Sequence, residues 1–392
     1  MIVGAVRETY PGDRRVALTP YVVPLLAKSK CEVLVEHDAG AAAGFPDGAY
    51  SEKGARIAAD RRAVFAAADV IVQIRAWGAN PERGRDDLAL LRPGQLLVGF
   101  FDPLNAADAV RRVATGRVSL VAMELVPRST RAQTMDALSS MATIAGYRAA
   151  LVAAEHLPKM FPMLITAAGT STAAKVLVLG AGVAGLQAIA TARRLGGLVE
   201  AYDVRRAAED EVRSVGAKFV DLGLELPQAE GAGGYARALG EEFGRRQREL
   251  LAPIVAQRDV VISTAAVPGS KAPILITAGA VAEMRPGSVI VDLAAEQGGN
   301  CEVTRPGEIV QHGGATVVGL VNAAAGAPFD ASQMYARNAT ALLQHLIRDG
   351  ALRLDPADEI TAATLVTRDG EVCHPAVRER LGPVATGVGA KE

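Results

Sequence analysis

The stretch from Lys175 to Arg205, KVLVLGAGVAGLQAIATARRLGGLVEAYDVR, limits what this chain can fold into more than any other. Val176 to Leu179 is an apolar run short enough to be a strand buried on both faces. Gly180, Gly182 and Gly185 follow in G-x-G-x-x-G spacing. A helical run, Leu186 to Leu195, is stopped by Gly196 and Gly197. A second apolar run, Leu198 to Tyr202, ends at Asp203. The result is a strand–turn–helix–strand unit of roughly 30 residues, the context in which such glycines bind a dinucleotide.

Each glycine has a physical task. Gly180 permits the tight turn, Gly182 leaves room for a pyrophosphate beside the backbone, and Gly185 lets helix and strand pack closely. The helix start offers free N–H groups and a positive dipole end to the phosphates. Asp203 can accept hydrogen bonds from an adenosine ribose and repel a 2′-phosphate, which favours NAD(H) over NADP(H). Arg205 and Arg206 stand beside it and are the residue type that receives such a phosphate.

A chain of 392 residues is long enough for two domains, and with 50% hydrophobic residues each can bury a core. Only 4% of residues are aromatic, so that core is aliphatic. A net charge of −1 gives no basic field and argues against nucleic acid as a partner. Cys31, Cys301 and Cys373 are far apart, which fits a reducing compartment and no disulfide framework. The five histidines show no metal-ligand spacing, so no metal is expected. The N-terminus opens on a strand rather than a signal peptide, and the longest uncharged run, Ile309 to Phe329, is too polar and glycine-rich to span a membrane. A soluble chain is expected.

Strand-like runs at Ile2–Val6, Glu32–Glu36, Val70–Ile74, Gln95–Phe100 and Val118–Met123 alternate with helical segments, as in a parallel α/β layer. Pro20 opens a short helix after the turn holding Arg14 and Arg15, and Gly40–Tyr50 reads as a small-residue loop. Pro127 to Ser140 is a polar stretch holding Arg128, Arg131, Gln133, Asp136, Ser139 and Ser140. A long helix starts at Ser139 or Ser140, with a hydroxyl as its cap, and breaks at Pro158. After Asp203 the pattern gives strands at Lys218–Val220, Asp259–Thr264, Ser288–Leu293 and Thr316–Asn322, with a helix at Glu241–Gln257. Asp221 to Gly240, with Tyr235, reads as either a surface excursion or a lid. The loop Ala265–Gly269 and the group Glu296, Gln297 and Asn300 fall at the carboxyl edge of the strands, where open parallel sheets bind ligands. Asp330 to Arg348 is amphipathic, carries Tyr335, Ala339, Leu342, Leu343 and Leu346 on one face, and is closed by Gly350. The expected fold is α/β: two Rossmann-like parallel-sheet domains joined by two long helices. Residues 1–140 plus 330–392 form one domain, and 141–329 the NAD(H)-binding one.

VPRSTRAQTMDALSSMATIAGYRA, VLVLGAGVAGLQAIATARRLG, AGGYARALGEEF and VDLAAEQGGNCE resemble the NAD(H)-binding domain I of proton-translocating, Si-specific nicotinamide nucleotide transhydrogenase. The resemblance covers nearly the whole chain. It implies that Arg128, Gln133, Asp136 and Ser139 position the dihydronicotinamide, with Gln133 and Ser139 on its carboxamide and Arg128 and Asp136 able to pair and brace the loop. It implies cofactor contacts at Gly180, Ala181, Gly182, Val183, Gly185, Asp203, Val204, Arg205, Gly234, Gln247 and Ala266. It further implies a homodimeric subunit on the cytoplasmic side of the inner membrane. That subunit would dock on membrane-spanning and NADP(H)-binding subunits and pass hydride from NADH to NADP+ held by the partner. Such transfer moves no proton at the reacting carbon, so its demand is geometric.

The chain is similar, more distantly, to alanine dehydrogenase, the alternative reading. Arg15 matches a substrate-binding arginine of that family, but Arg75, Asp102 and Glu296 stand where it has catalytic lysine, histidine and aspartate. Oxidative deamination needs a group that exchanges a proton near neutral pH, and an arginine does not. A third possibility, an NAD-binding sensor without turnover, leaves the Arg128–Ser139 stretch without a purpose.

Overall fold

The computed structural model describes residues 1–224, 240–266 and 270–381. The chain divides into two compact units, Met1–Ser140 with Pro328–Glu392, and Met141–Ala327.

In the first unit, β1 (Ile2–Ala5), β2 (Glu32–Glu36), β3 (Arg56–Ala58), β4 (Val70–Arg75), β5 (Leu96–Phe100) and β6 (Ser119–Ala122) form a parallel sheet in the order β6-β5-β4-β1-β2-β3. Their continuous aliphatic runs suit strands covered on both faces. A C-terminal hairpin, Leu365–Arg368 with Glu371–Val372, extends the sheet antiparallel to β6. Its turn is Asp369-Gly370, both at positive φ, as a two-residue hairpin turn requires. Gly40–Tyr50 is more ordered than its small residues suggest. A 3-10 turn, Ala41–Ala43, precedes a helix, Asp47–Glu52, anchored by fully buried Tyr50, whose hydroxyl donates to Leu18 O at 2.8 Å.

The helix Pro328–Leu346 packs within this unit through Tyr335, Ala339, Leu342, Leu343 and Leu346. Tyr335 Oη donates to Gln73 O at 2.7 Å, and Asn338 Nδ2 to Thr134 O at 2.8 Å. Gly350 does not close the helix. The helix ends at Leu346, and Asp349-Gly350 turn a small hairpin, Ile347–Arg348 with Ala351–Leu352. The D-G pair favours that turn, and it outweighs the helical periodicity before it.

The second unit carries a small hairpin, β7 (Leu164–Thr166) and β8 (Gly169–Ser171), and a larger sheet. That sheet contains β9 (Lys175–Leu179), β10 (Leu198–Tyr202), β11 (Lys218–Phe219), β12 (Val260–Ser263), β13 (Val289–Asp292), β14 (Ile309–His312) and β15 (Ala315–Gly319) in the order β11-β10-β9-β12-β13-β15-β14. All neighbours are parallel except β14, a short edge strand that doubles back through Gly313-Gly314. Alternate residues of β9 serve opposite cores. Val176 and Val178 pack with Ala149, Ala153, Ala188 and Ile189, whereas Leu177 and Leu179 pack with Leu251, Val255 and Val281. The sheet is thus wound with helices on both faces, and strand order reverses between β9 and β12, where such folds bind ligands.

The helix Ala137–His156 is long and apolar enough to cross a membrane by length and composition alone. Ala149, Ala150 and Ala153 are fully buried in the second unit's core, so that apolar surface is used inside the protein. The helix starts at Ala137, earlier than the serines suggest. Its cap is the Asp136 carboxylate, which accepts the Ser139 N–H at 2.9 Å.

Candidate functional site

The glycine turn follows β9 at the reversal of strand order. Gly180 has φ +94°, a backbone open to glycine at little cost, and its N–H donates to Tyr202 O at 2.8 Å. A Cβ on Gly185 would lie 1.9 Å from Gly180 O, so only hydrogen fits where the helix crosses the turn. A Cβ on Gly182 would meet nothing within 4 Å, so this residue faces open space beside the turn. The helix begins at Val183, inside the glycine motif and ahead of the expected Leu186. The low helix propensity of Gly185 hides that start in the sequence, and its close packing overrides the propensity. Gly182 makes no side-chain cap, so the first-turn N–H groups, beginning at Val183, are left for a ligand. The turn therefore has the space and the donors for a pyrophosphate.

Asp203 ends β10 and is buried. Its Oδ2 accepts the Ala181 N–H at 2.7 Å, and its Oδ1 accepts the Arg205 N–H at 2.8 Å. The Arg205 guanidinium lies on the same carboxylate, Nε to Oδ1 at 3.1 Å. Ala181, Asp203, Val204 and Arg205 are thereby gathered at one corner. Gln247, on the helix Glu241–Ala256, is buried, and its amide donates to Tyr202 Oη at 2.9 Å. Desolvation pushes the Tyr202 phenol up to about 12. Gln247 is held against the residue that precedes Asp203. Ala266 is exposed past the end of β12, and Gly234, with Tyr235 and the rest of 225–239, lies outside the described residues, as do 267–269.

Three ties beyond the glycines frame this edge. Thr264 Oγ1 donates to Gly180 O at 3.1 Å. The Asn300 amide holds Ala265, accepting its N–H at 3.0 Å and donating to its carbonyl at 2.8 Å. Asp292, fully buried at the end of β13, accepts the N–H groups of Ala294, Asn300 and Cys301 and the Thr304 hydroxyl. Sequence reading places Asn300 at this edge but assigns no task to Asp292 or Thr264. The available signal is the D-L-A-A-E-Q-G-G-N run, with an acid closing a buried strand before a glycine-rich loop.

In the first unit, Arg128 and Gln133 are exposed, and Gln133 opens a 3-10 turn, Gln133–Met135. Asp136 turns both its oxygens to Ser139, Oδ1 to the backbone N–H and Oδ2 to the hydroxyl at 2.6 Å. The brace expected of this carboxylate therefore reaches the start of the long helix.

The positions that carry alanine dehydrogenase chemistry also lie in defined surroundings. Arg15 is buried and gripped by Asp13, Nε to Oδ1 at 2.9 Å and Nη2 to Oδ2 at 2.5 Å. Arg75 stacks over the Tyr10 ring, 4.2 Å from guanidinium to centroid. Asp102 has φ +54°, accepts Asn105 Nδ2 at 2.9 Å, and is raised in pKa by partial desolvation. Glu296 is in the second unit, where Asn322 N–H meets its Oε2 at 3.3 Å. Two buried carboxyls were not anticipated. Burial lifts both Glu8 and Glu124 to about 7 despite backbone N–H donors to each. Exposed His37 lies between Asp38 and Asp47, and its hydrogen bond to Asp47 raises its pKa.

Comparison with known proteins gives a consistent set of relatives. The family described as alanine dehydrogenase/PNT matches in two segments, its N-terminal domain over residues 4–145 and its C-terminal domain over residues 149–375. A Rhodospirillum rubrum protein, named as the first of the chains that make up an NAD(P) transhydrogenase subunit alpha, is 43% identical over 374 residues, covering 95% of this chain and 97% of that one. The crystal structure of a transhydrogenase from Sinorhizobium meliloti superposes with a TM-score of 0.84 at 40% identity, over 95% of this chain and all of the other. An L-alanine dehydrogenase structure superposes with a TM-score of 0.79 at 25% identity, over 97% and 99%.

Proposed function

The chain belongs to the alanine dehydrogenase/PNT family, and from that premise we propose that it is the NAD(H)-binding portion of the alpha subunit of a proton-translocating NAD(P) transhydrogenase. The observation that carries this reading over the family's other activity is the trio Arg75, Asp102 and Glu296 where deamination needs lysine, histidine and aspartate. Arg75 cannot lose its proton, and its guanidinium stacks on Tyr10. Arg15, the expected keto-acid anchor, is already neutralised by Asp13.

NADH supplies the hydride when bound, and this chain's residues hold it in place. Gly180, Gly182 and the N–H groups from Val183 onward receive the pyrophosphate. Asp203, with Val204 and Arg205, takes the adenosine ribose and selects NAD(H) over NADP(H). Gln133 and Ser139 hydrogen-bond the carboxamide, Asp136 fixes Ser139, and Arg128 lines the approach. No general base is required, because the reaction asks only that two nicotinamide rings be held at reactive distance. The acceptor NADP+ sits on a partner subunit, and the proton path lies in membrane-spanning chains that this subunit docks on from the cytoplasm.

The chain acts as a homodimer. Support comes from the segment around β7, where Met160, Met163, Leu164 and Ile165 are all exposed, Ile165 by 74%. A two-stranded hairpin with apolar residues in water is marginal by itself and gains by pairing with a second copy.

The test is hydride exchange. The chain is mixed with the NADP(H)-binding subunit of a transhydrogenase, NADH, and an oxidised NADP analogue with a distinct absorbance once reduced. Exchange is expected, with no NADH oxidation by pyruvate and ammonium. Absence of exchange when both nucleotides are bound would overturn the reading, and turnover with pyruvate and ammonium would establish the dehydrogenase instead.

A further inference from the structure

We propose that Asn300 is a positioning residue for the nicotinamide half of the bound dinucleotide; the inference rests on the dinucleotide reading above. Strand order reverses between β9 and β12. Asp203 and the glycine turn lie on the β9–β10 side and serve the adenosine half. A dinucleotide laid across the reversal must therefore place its other half over the ends of β12 and β13. The segments leaving those strands are Thr264–Ala266 and Ala294–Asn300.

Asn300 joins them. It is fully buried, and each side-chain polar atom is engaged. Oδ1 accepts the Ala265 N–H at 3.0 Å, and Nδ2 donates to Ala265 O and to Pro273 O, each at 2.8 Å. One amide thus ties both ends of the connection between Ala265 and Pro273. The backbone carbonyl of Asn300 accepts from Leu275 N and Ile276 N, and its own N–H donates to Asp292 Oδ2 at 2.7 Å. Thr264 in turn meets Gly180 O, so the chain of bonds reaches the glycine turn. The pattern needs an amide. An aspartate would keep the acceptor but lose both donors, and an alanine would leave an N–H and two carbonyls without this partner. The predicted consequence is local to one end of the ligand.

The experiment compares AMP, which engages only the adenosine half, with NADH, on the full chain carrying Asn300→Ala. AMP affinity should stay within about twofold, because that subsite is anchored by Asp203 on the other side of the strand reversal. NADH affinity should fall about tenfold or more, from lost alignment of the ring end. Equal loss for both ligands would reduce Asn300 to a general structural role and overturn the proposal, as would no loss for either. If Asn300→Ala does not fold, Asn300→Asp, of nearly equal volume, carries the same comparison. Wild-type chain that binds neither AMP nor NADH would instead remove the dinucleotide premise, a distinct outcome that takes the proposal with it.

Discussion

The Asp203 carboxylate accepts the Ala181 N–H at 2.7 Å, joining the end of one strand to the glycine turn of its neighbour. The same carboxylate holds Arg205, which otherwise is the group suited to a 2′-phosphate. Asp203→Asn keeps the size of the side chain but removes its charge. It should weaken NADH by about tenfold, near 1.4 kcal/mol, and narrow the preference over NADPH as Arg205 is released. Fluorescence titration with both nucleotides measures this, and an unchanged NADH-to-NADPH ratio would contradict the assignment.

Gly182 and Gly185 give opposite predictions. The space around Gly182 accepts a methyl group, so Gly182→Ala should fold with an unchanged Tm and lose NADH affinity by about tenfold or more. Gly185→Ala places a carbon 1.9 Å from Gly180 O, and the helix or the turn must shift. It should cost about 1–3 kcal/mol and lower Tm by several degrees. Thermal melts alongside NADH titration separate the two, and a stability loss at Gly182 equal to that at Gly185 would refute the distinction.

Glu124 makes stability depend on pH. Its Oε1 accepts the Phe101 and Asp102 N–H groups, its Oε2 is buried without a protein partner, and burial raises it from 4.5 to about 7. A carboxyl raised on folding binds more protons folded than unfolded between those values. Its contribution is therefore fully present below about 4.5 and lost as pH rises to about 7, on the order of 3 kcal/mol. Glu8 acts in the same direction. Urea midpoints across this range should fall with rising pH in the wild type and fall less in Glu124→Gln. Parallel slopes for the two proteins would show that this carboxyl does not titrate as described.

Which regions of this molecule the sequence discloses follows from the range of the forces involved. The unit from Lys175 to Asp203 is local: strand, turn, helix and strand are consecutive, and each signal is written within a few residues of the element it controls. The long helix at Pro328–Leu346 is legible for the same reason, through its apolar face. The edges are not. The hairpin Leu365–Arg368 with Glu371–Val372 joins β6 across a separation no window of sequence covers, and β14 is hidden within one uncharged run. At the site, the glycines and Asp203 carry their own pattern. The pairings of Asp13 with Arg15, Asn300 with Ala265 and Asp292 with its loop do not, because a side chain gives no sign of which group will face it. Burial of Glu8 and Glu124 is likewise a property of what packs over them.

Asp136 tests whether the polar stretch before the long helix acts on the ligand or only on the helix. Its carboxylate caps Ala137–His156 through the Ser139 N–H at 2.9 Å and holds the Ser139 hydroxyl at 2.6 Å. Asp136→Ala removes that cap and should cost about 1 kcal/mol of stability, whatever the function. Asp136→Asn keeps an oxygen for the Ser139 N–H and so retains most of the cap, while it changes how the hydroxyl is held. If Asp136 orients Ser139 toward the carboxamide, Asp136→Asn should slow hydride exchange with the partner-bound NADP analogue by about tenfold, with Tm and NADH affinity nearly unchanged. Gln133→Asn, on an exposed residue of the adjoining 3-10 turn, should behave alike. A residue that only caps would leave Asp136→Asn at the wild-type rate and confine the Asp136→Ala effect to the melting curve. Loss of NADH affinity as large as the loss of rate would place the interaction in ground-state binding instead.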